Sequence, residues 1–157
     1  MQDINNESTI VIGIGNCGRS DDGLGWALAE HIEESGRFKG DVQLRYQLQV
    51  EDAELISHYD QVVFIDAFAA QVENGYRTEK VVASDDFSFS THEVAPEAIM
   101  YLCQNLYKVK PRASILLIGG KSWDMKIGLS PYAKANLRKA IAYFNEVMTE
   151  KVYLVNK

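Results

Sequence analysis

Between residues 8 and 26 the chain reads Ser8-Thr-Ile-Val-Ile-Gly-Ile-Gly-Asn16-Cys-Gly-Arg-Ser-Asp21-Asp22-Gly23-Leu-Gly25-Trp26. Residues 9 to 14 are apolar and mostly β-branched, which is typical of a strand covered on both faces. The glycines that follow allow a tight exit, and apolar residues then recur at helical spacing. The residues of this predicted buried stripe are Leu24, Ala27, Leu28 and Ile32. A buried strand followed by an amphipathic helix indicates an α/β fold.

The same alternation continues along the chain. Strands are predicted near residues 8–14, 42–50, 61–66, 77–83 and 113–118, and helices near 22–36, 52–58, 96–108 and 131–149. This order predicts a three-layer α/β/α sandwich with a mostly parallel five-stranded sheet, formed as a single domain by residues 1–157. We expect the strand at 77–83 to be antiparallel, because its connection from residue 66 is too short and polar for a crossover helix. Residues 152–155 are expected to extend the last helix or to form a short edge strand.

Length and composition fit one enzyme-sized domain, since the chain has 157 residues of which 46% are hydrophobic. The formal net charge of -6 and the lack of a lysine-arginine cluster argue against a nucleic-acid partner. The apolar runs are far shorter than the roughly 20 residues that span a bilayer, and the first residues lack a signal-peptide pattern. Cys17 and Cys103 provide no disulfide framework. We therefore expect a soluble cytoplasmic protein without membrane insertion.

Three candidate metal ligands each lie where a strand gives way to a loop. Asp22 follows the first strand, Asp66 closes the run Gln61-Val-Val-Phe-Ile-Asp66, and His92 lies in the loop before the helix predicted at residue 96. Because the carboxyl ends of parallel strands converge on one edge of a sheet, we expect these side chains to meet there. Two carboxylates and one imidazole leave coordination positions for water or substrate, as metal-assisted hydrolysis requires.

Each of these residues also has a purely structural interpretation. An Asp at position 22 suits the amino-terminal cap of the first helix, where a carboxylate accepts backbone N–H groups. Asp66 can likewise be satisfied by loop amides. A lone loop histidine such as His92 is usually a polar surface residue, and the other histidines, His31 and His58, are interpreted in that way.

Five motifs in order resemble the hydrogenase maturation endopeptidases. They are Ile12-Gly-Ile-Gly-Asn16, Ser20-Asp21-Asp22-Gly23-Leu-Gly25, Val62-Val-Phe-Ile-Asp66-Ala67, the loop residue His92, and Ile127-Gly128-Leu129-Ser130-Pro131. Together they extend over nearly the whole chain, and the resemblance implies a phosphorylase/hydrolase-like α/β/α fold.

The resemblance also implies an activity and a substrate. Members of this family remove a C-terminal extension from the large-subunit precursor of a nickel-iron hydrogenase after nickel insertion. Their ligands are an acid in the first loop, an acid ending the middle strand and a loop histidine, which correspond here to Asp22, Asp66 and His92. Nickel is expected to arrive with the substrate, and zinc or another first-row divalent metal would accept the same ligands.

Two segments depart from the family pattern. An Asp-Gly-Gly-Thr type loop is replaced by Gln49-Val50-Glu51-Asp52, and a proline-containing segment is replaced by Gly119-Gly120-Lys121-Ser122-Trp123-Asp124. The acids at 51 and 52 predict a preference for basic residues near the cut, because like charges repel.

Two other functional classes remain open. One is a non-catalytic assembly factor that reads the metal state of the hydrogenase. The other is a peptidyl-tRNA hydrolase, suggested by Ile14-Gly15-Asn16. It is disfavoured because Asp21-Asp22 rather than a histidine follows this motif and because the net charge is negative.

Overall fold

The computed structural model of the protein describes residues 1–85 and 94–149. The strands in this part of the chain are β1 (Thr9–Ile14), β2 (Asp41–Arg45), β3 (Gln61–Phe68), β4 (Tyr76–Lys80) and β5 (Arg112–Gly119). The helices are α1 (Leu24–Glu34), α2 (Asp52–Ile56), α3 (Pro96–Leu102) and α4 (Pro131–Thr149). A 3-10 turn, Ser20–Gly23, leads into α1, and a π-helical turn, Cys103–Tyr107, continues α3. The predictions for His92 and for residues 152–155 lie outside the described residues.

The five strands form one sheet in the order β2-β1-β3-β5-β4. Neighbouring strands are parallel except β4, which pairs antiparallel with β5. The predicted mostly parallel sheet is therefore confirmed, as is the antiparallel strand after residue 66. The short link between β3 and β4 cannot hold the crossover that a parallel strand would require.

Alternation along β3 divides the core into two halves. Val63 and Ile65 belong to the cluster formed with α1 and α4. Val62 and Phe64 belong to the cluster formed with α2 and α3 on the other side of the sheet. Because successive strand residues face opposite sides, both faces of the sheet are covered, which confirms the predicted three-layer arrangement.

Three strand boundaries differ from the prediction by two residues or more, and one of them is the end of β4, which lies at Lys80 rather than near residue 83. β2 ends at Arg45 rather than near residue 50, because the chain folds back so that Arg45 Nε lies 3.0 Å from the Asp52 Oδ1 atom. β3 continues past Asp66 to Phe68, because β5 remains paired with it through Phe68 and Gly119. Asp66 therefore lies within the strand rather than at its last residue.

The helix boundaries also differ in part. The first α-helix begins at Leu24, and Asp22 belongs to the 3-10 turn before it. The helix predicted at 96–108 is α-helical only to Leu102 and then widens into the π-helical turn. Among the described residues, no helix combines the length and the apolar character that a bilayer crossing demands.

We predict that Phe64→Ala lowers the free energy of unfolding by about 3 to 5 kcal/mol, because the ring is fully buried and its removal leaves a cavity in the core. Urea unfolding monitored by circular dichroism measures the change. Tyr107→Ala is the control, since this side chain is 42% exposed and should cost much less. Equal losses for the two variants would contradict the burial assigned to Phe64.

Candidate active site at the carboxyl edge of the sheet

Asp22 lies in a closed loop that begins where β1 ends. The Gly15 N–H donates to the Arg45 carbonyl at the end of β2, at 2.9 Å. The Asn16 N–H then donates to both the Asp22 Oδ2 atom, at 3.0 Å, and the Asp22 carbonyl, at 3.2 Å. Asp22 is partly exposed, and within the described residues no hydrogen bond reaches its Oδ1 atom. This oxygen can therefore face a ligand.

The interpretation of Asp22 as a helix cap is wrong. Gly23 occupies the cap position of α1, and no side chain caps that helix. The Asp22 carboxylate instead accepts the N–H of Asn16, which precedes it in the chain, and Asp22 belongs to the 3-10 turn before α1.

Two glycines place this turn over the sheet. Gly15 has φ +144°, and a Cβ there would lie 1.9 Å from the Asp22 carbonyl oxygen. A Cβ on Gly25 would lie 2.3 Å from the Ile14 carbonyl oxygen and 2.5 Å from that of Ile65. Only glycine allows both the positive φ and the close approach of α1 to the strand ends. The glycines of the opening motif therefore hold Asp22 near the ends of β1 and β3.

Asp66 reaches the same edge from the neighbouring strand. The last β1–β3 pair joins Gly13 to Ile65, so Asp66 is the first residue of β3 beyond the paired part of β1. It is partly exposed, and its Oδ1 atom accepts the Ala67 N–H at 2.8 Å, a backbone contact of the kind that the structural interpretation predicted. The 3-10 turn that carries Asp22 contacts β3. The structure thus brings the segments that bear the two predicted acids to one edge.

The third predicted ligand, His92, lies outside the described residues and stays a prediction. Within residues 1–85 and 94–149, no group of three histidine, cysteine or acidic side chains is arranged to hold a metal ion. His31 is exposed on α1, and His58 is exposed with its Nε2 atom 2.7 Å from Glu54 Oε1. Both agree with the interpretation as surface residues.

Sequence reasoning assigned no role to Asp21, which the structure places at the centre of this edge. Its side chain is fully buried. The Oδ2 atom accepts the N–H groups of Lys121 and Ser122, both at 2.9 Å, and the Ser130 hydroxyl at 2.7 Å. The Oδ1 atom accepts the Ser130 N–H at 2.7 Å. The sequence does not indicate which of the adjacent acids Asp21 and Asp22 faces inward, because every group that donates a hydrogen bond to the Asp21 side chain belongs to a distant segment of the chain.

These contacts also set the ionisation of Asp21. Burial by itself raises the pKa of this carboxyl. Hydrogen bonds from the backbone of Lys121, Ser130 and Ser122 and from the Ser130 hydroxyl outweigh burial, so the pKa lies below the ordinary 3.8. The charged form is therefore the one that the fold stabilises.

The loop at residues 49–52 does not present both of its acids. Asp52 is only 3% exposed. It forms an ion pair with Arg45 and accepts the Gln49 N–H at 2.8 Å. Asp52 therefore contributes little to the predicted preference for basic residues near the cut, because a buried charge compensated by a guanidinium projects little field outward, and that preference stays a prediction. Glu51 remains exposed.

Several solved structures share this fold. The NiFe hydrogenase maturation protease HycI from Thermococcus kodakarensis is 20% identical, with a TM-score of 0.71 over 90% of this chain and 92% of its own. A hydrogenase 2 maturation peptidase from a Thaumarchaeota archaeon is 17% identical, with a TM-score of 0.66 over 92% and 100% of the two chains. The hydrogenase maturating endopeptidase HybD from E. coli is 15% identical, with a TM-score of 0.63 over 87% and 88%. No family model matches the sequence, and no curated protein matches it significantly. At these identities the matches establish the fold.

We predict that Asp21→Asn lowers the free energy of unfolding at pH 7 by about 2 to 4 kcal/mol, because an amide cannot accept all four hydrogen bonds. Since the folded pKa lies below the unfolded one, the carboxylate stabilises the fold above about pH 4 and loses this contribution as the pH falls through the folded pKa. The difference between wild type and variant should therefore shrink on acidification.

Urea unfolding at pH 7 and at a series of lower pH values measures this difference. The matched control is Asp60→Asn, because Asp60 is exposed and its stability effect should stay within about 0.5 kcal/mol. A difference between wild type and Asp21→Asn that is independent of pH would contradict the assignment of a stabilised charge.

Proposed function

We propose that this protein is an endopeptidase that removes the C-terminal extension from a nickel-loaded large-subunit precursor of a nickel-iron hydrogenase. The observation that carries the proposal is the position of Asp22 and Asp66. They lie on adjacent segments at one edge of a fold whose solved relatives are named as hydrogenase maturation proteases. The five ordered sequence motifs support the same conclusion independently of the fold.

In this proposal Asp22, Asp66 and His92 hold a divalent metal ion. When bound, such an ion polarises a carbonyl or lowers the pKa of a water molecule. The donor set suits it, since two carboxylates and an imidazole are ligands that nickel and zinc both accept. The Asn16 N–H orients the Asp22 carboxylate and the Ala67 N–H orients that of Asp66. Nickel itself belongs to the substrate, so cleavage would depend on a precursor that already carries it.

The two alternatives make different demands on the protein. A peptidyl-tRNA hydrolase has to bind a polyanion, which the net charge of -6 disfavours. An assembly factor that reads metal loading without cutting would use the same two acids, so only a cleavage measurement separates it from the protease.

We predict that the wild-type protein shortens a nickel-loaded large-subunit precursor and that Asp66→Asn or His92→Ala abolishes this cleavage. Asp66→Asn keeps the side-chain volume but removes the charge that would hold the cation. The measurement follows precursor size by electrophoresis and mass spectrometry after incubation with and without nickel.

Matched controls separate a site effect from unfolding. Asp60→Asn changes an exposed aspartate, and His31→Ala changes an exposed histidine on α1, so both should cleave at the wild-type rate. Equal processing by His92→Ala and His31→Ala would refute the proposed ligand set. Tight precursor binding by the wild type without any shortening would instead favour the assembly factor.

A second prediction concerns the metal without the substrate. Titration calorimetry with nickel or zinc should show binding to the wild-type protein and at least about a tenfold weaker affinity for Asp22→Asn, because a neutral amide is a poor ligand for these cations. The Asp60→Asn variant should bind as the wild type does. Identical affinities for all three proteins would exclude Asp22 as a ligand.

A further inference from the structure

A loop at residues 120–130, called here the edge loop, lies against the turn that carries Asp22. The Ser20 N–H donates to the Lys126 carbonyl at 2.8 Å, and the Ser20 hydroxyl donates to the Gly128 carbonyl at 3.1 Å. The Asp21 N–H donates to the Ser122 carbonyl at 2.9 Å. The backbone of the edge loop is thus joined to residues immediately before Asp22.

Asp21 fixes both ends of this loop with one side chain. Its carboxylate accepts the N–H groups of Lys121 and Ser122 at the start, and both the N–H and the hydroxyl of Ser130 at the end. The edge loop contains no helix or strand of its own. Its conformation therefore depends on Asp21 and on the contacts of Ser20.

The side chains of the edge loop divide into inward and outward sets. Trp123 packs back against Gly120, close to Asp21. Met125 is 81% exposed and Ile127 is 88% exposed, the highest values among the large hydrophobic side chains of the described residues. Single exposed apolar residues are common on protein surfaces. Met125 and Ile127, however, lie close together on an anchored loop, and because they are exposed they bury no surface that would stabilise the fold.

The opposite side of the same edge also carries exposed apolar side chains. Tyr46 and Val50, which follow the carboxyl end of β2, are 66% and 55% exposed. Tyr46 stacks on Trp26 at the start of α1, with ring centroids 4.9 Å apart, and the Trp26 indole N–H donates to the Arg45 carbonyl. Exposed apolar side chains therefore lie on both flanks of the segments that carry Asp22 and Asp66.

We propose that the edge loop is the substrate-contacting loop of this protein, with Met125 and Ile127 meeting the folded surface of the large-subunit precursor and Asp21 acting as a positioning residue. The inference rests on the proposed function and adds a docking element to it. The hydrogen bonds of Ser20 and Asp21 join the loop that carries Met125 and Ile127 to the turn that carries Asp22. Small molecules bind in concave sites, whereas projecting methionine and aliphatic side chains suit an apolar surface on another protein.

The first experiment measures precursor cleavage by the double variant Met125→Ser/Ile127→Ser. KM should rise by about tenfold or more while kcat stays near the wild-type value, because the lost contacts bind ground state and transition state equally. The matched control is Leu106→Ser/Val82→Ser, which replaces two side chains that are 60% and 65% exposed elsewhere on the chain and should leave both constants unchanged. Equal KM values for the two double variants would overturn the inference.

The second experiment tests the role of Asp21 with a double-mutant cycle. Asp21→Asn should raise KM because it releases the edge loop, and adding it to Met125→Ser/Ile127→Ser should raise KM by much less than the product of the two separate effects. If Asp21→Asn acted only by lowering the stability of the fold, its effect on KM would be independent of the loop substitutions, and the two separate effects on KM would multiply. Each variant is assayed well below its unfolding temperature. Effects on KM that multiply fully would overturn the positioning role of Asp21.

A failure of the proposed function is distinguishable from a failure of this inference. If the wild-type protein leaves the nickel-loaded precursor uncut, the dissociation constant of that precursor is measured by titration calorimetry with the chain otherwise wild type. The loop variant should still weaken binding about tenfold relative to the Leu106→Ser/Val82→Ser control. Unchanged affinity, or no binding to any variant, would overturn the inference.

Discussion

The buried carboxylate of Asp21 is the interaction on which the carboxyl edge of this sheet depends. It collects four hydrogen bonds from a segment about 100 residues further along the chain. One of its partners, the Ser130 hydroxyl, also accepts the Ala133 N–H in the first turn of α4. The starts of α1 and α4 are therefore joined through a single side chain. Removing a charge from water is costly, and here the number and direction of the donors offset that cost.

The parallel sheet supplies the second constraint. Because β1 ends before β3, Asp66 emerges beside the turn that carries Asp22. α1 approaches the strand ends closely because residue 25 is glycine, so the turn cannot move away from β3 without losing this packing. The positions of both acids follow from the register of two strands and from the helix that covers them.

Charges at this edge are compensated unevenly, and the difference is informative. The charge of Asp21 is stabilised by hydrogen bonds from backbone and hydroxyl donors, and the charge of Asp52 is paired with the guanidinium of Arg45. Asp22 accepts one backbone amide and stays partly exposed. Structural acids are thus enclosed by the fold, whereas an acid with an open oxygen faces the solvent. The enclosed acids hold the surrounding backbone in one conformation. This rigidity lowers the entropic cost of binding a partner, since the groups that bind are already ordered.

The sequence by itself determined the layers, the mostly parallel sheet, the antiparallel β4 and the helix starts at Pro96 and Pro131. These features are local, because hydrophobic periodicity and proline preferences are set by residues close together in the chain. It also placed Asp22 and Asp66 at one edge, since parallel strands share a direction.

Only the tertiary structure decided which of the adjacent acids Asp21 and Asp22 is enclosed, why β2 stops at Arg45, and that Asp52 is paired. Each of these depends on a donor that lies elsewhere in the chain: the amides of the edge loop for Asp21, and the Arg45 side chain for Asp52. Periodicity reports the average burial of a segment, but the burial of a single carboxylate requires a partner in three dimensions. The sequence contains these partners without indicating which carboxylate each of them will reach.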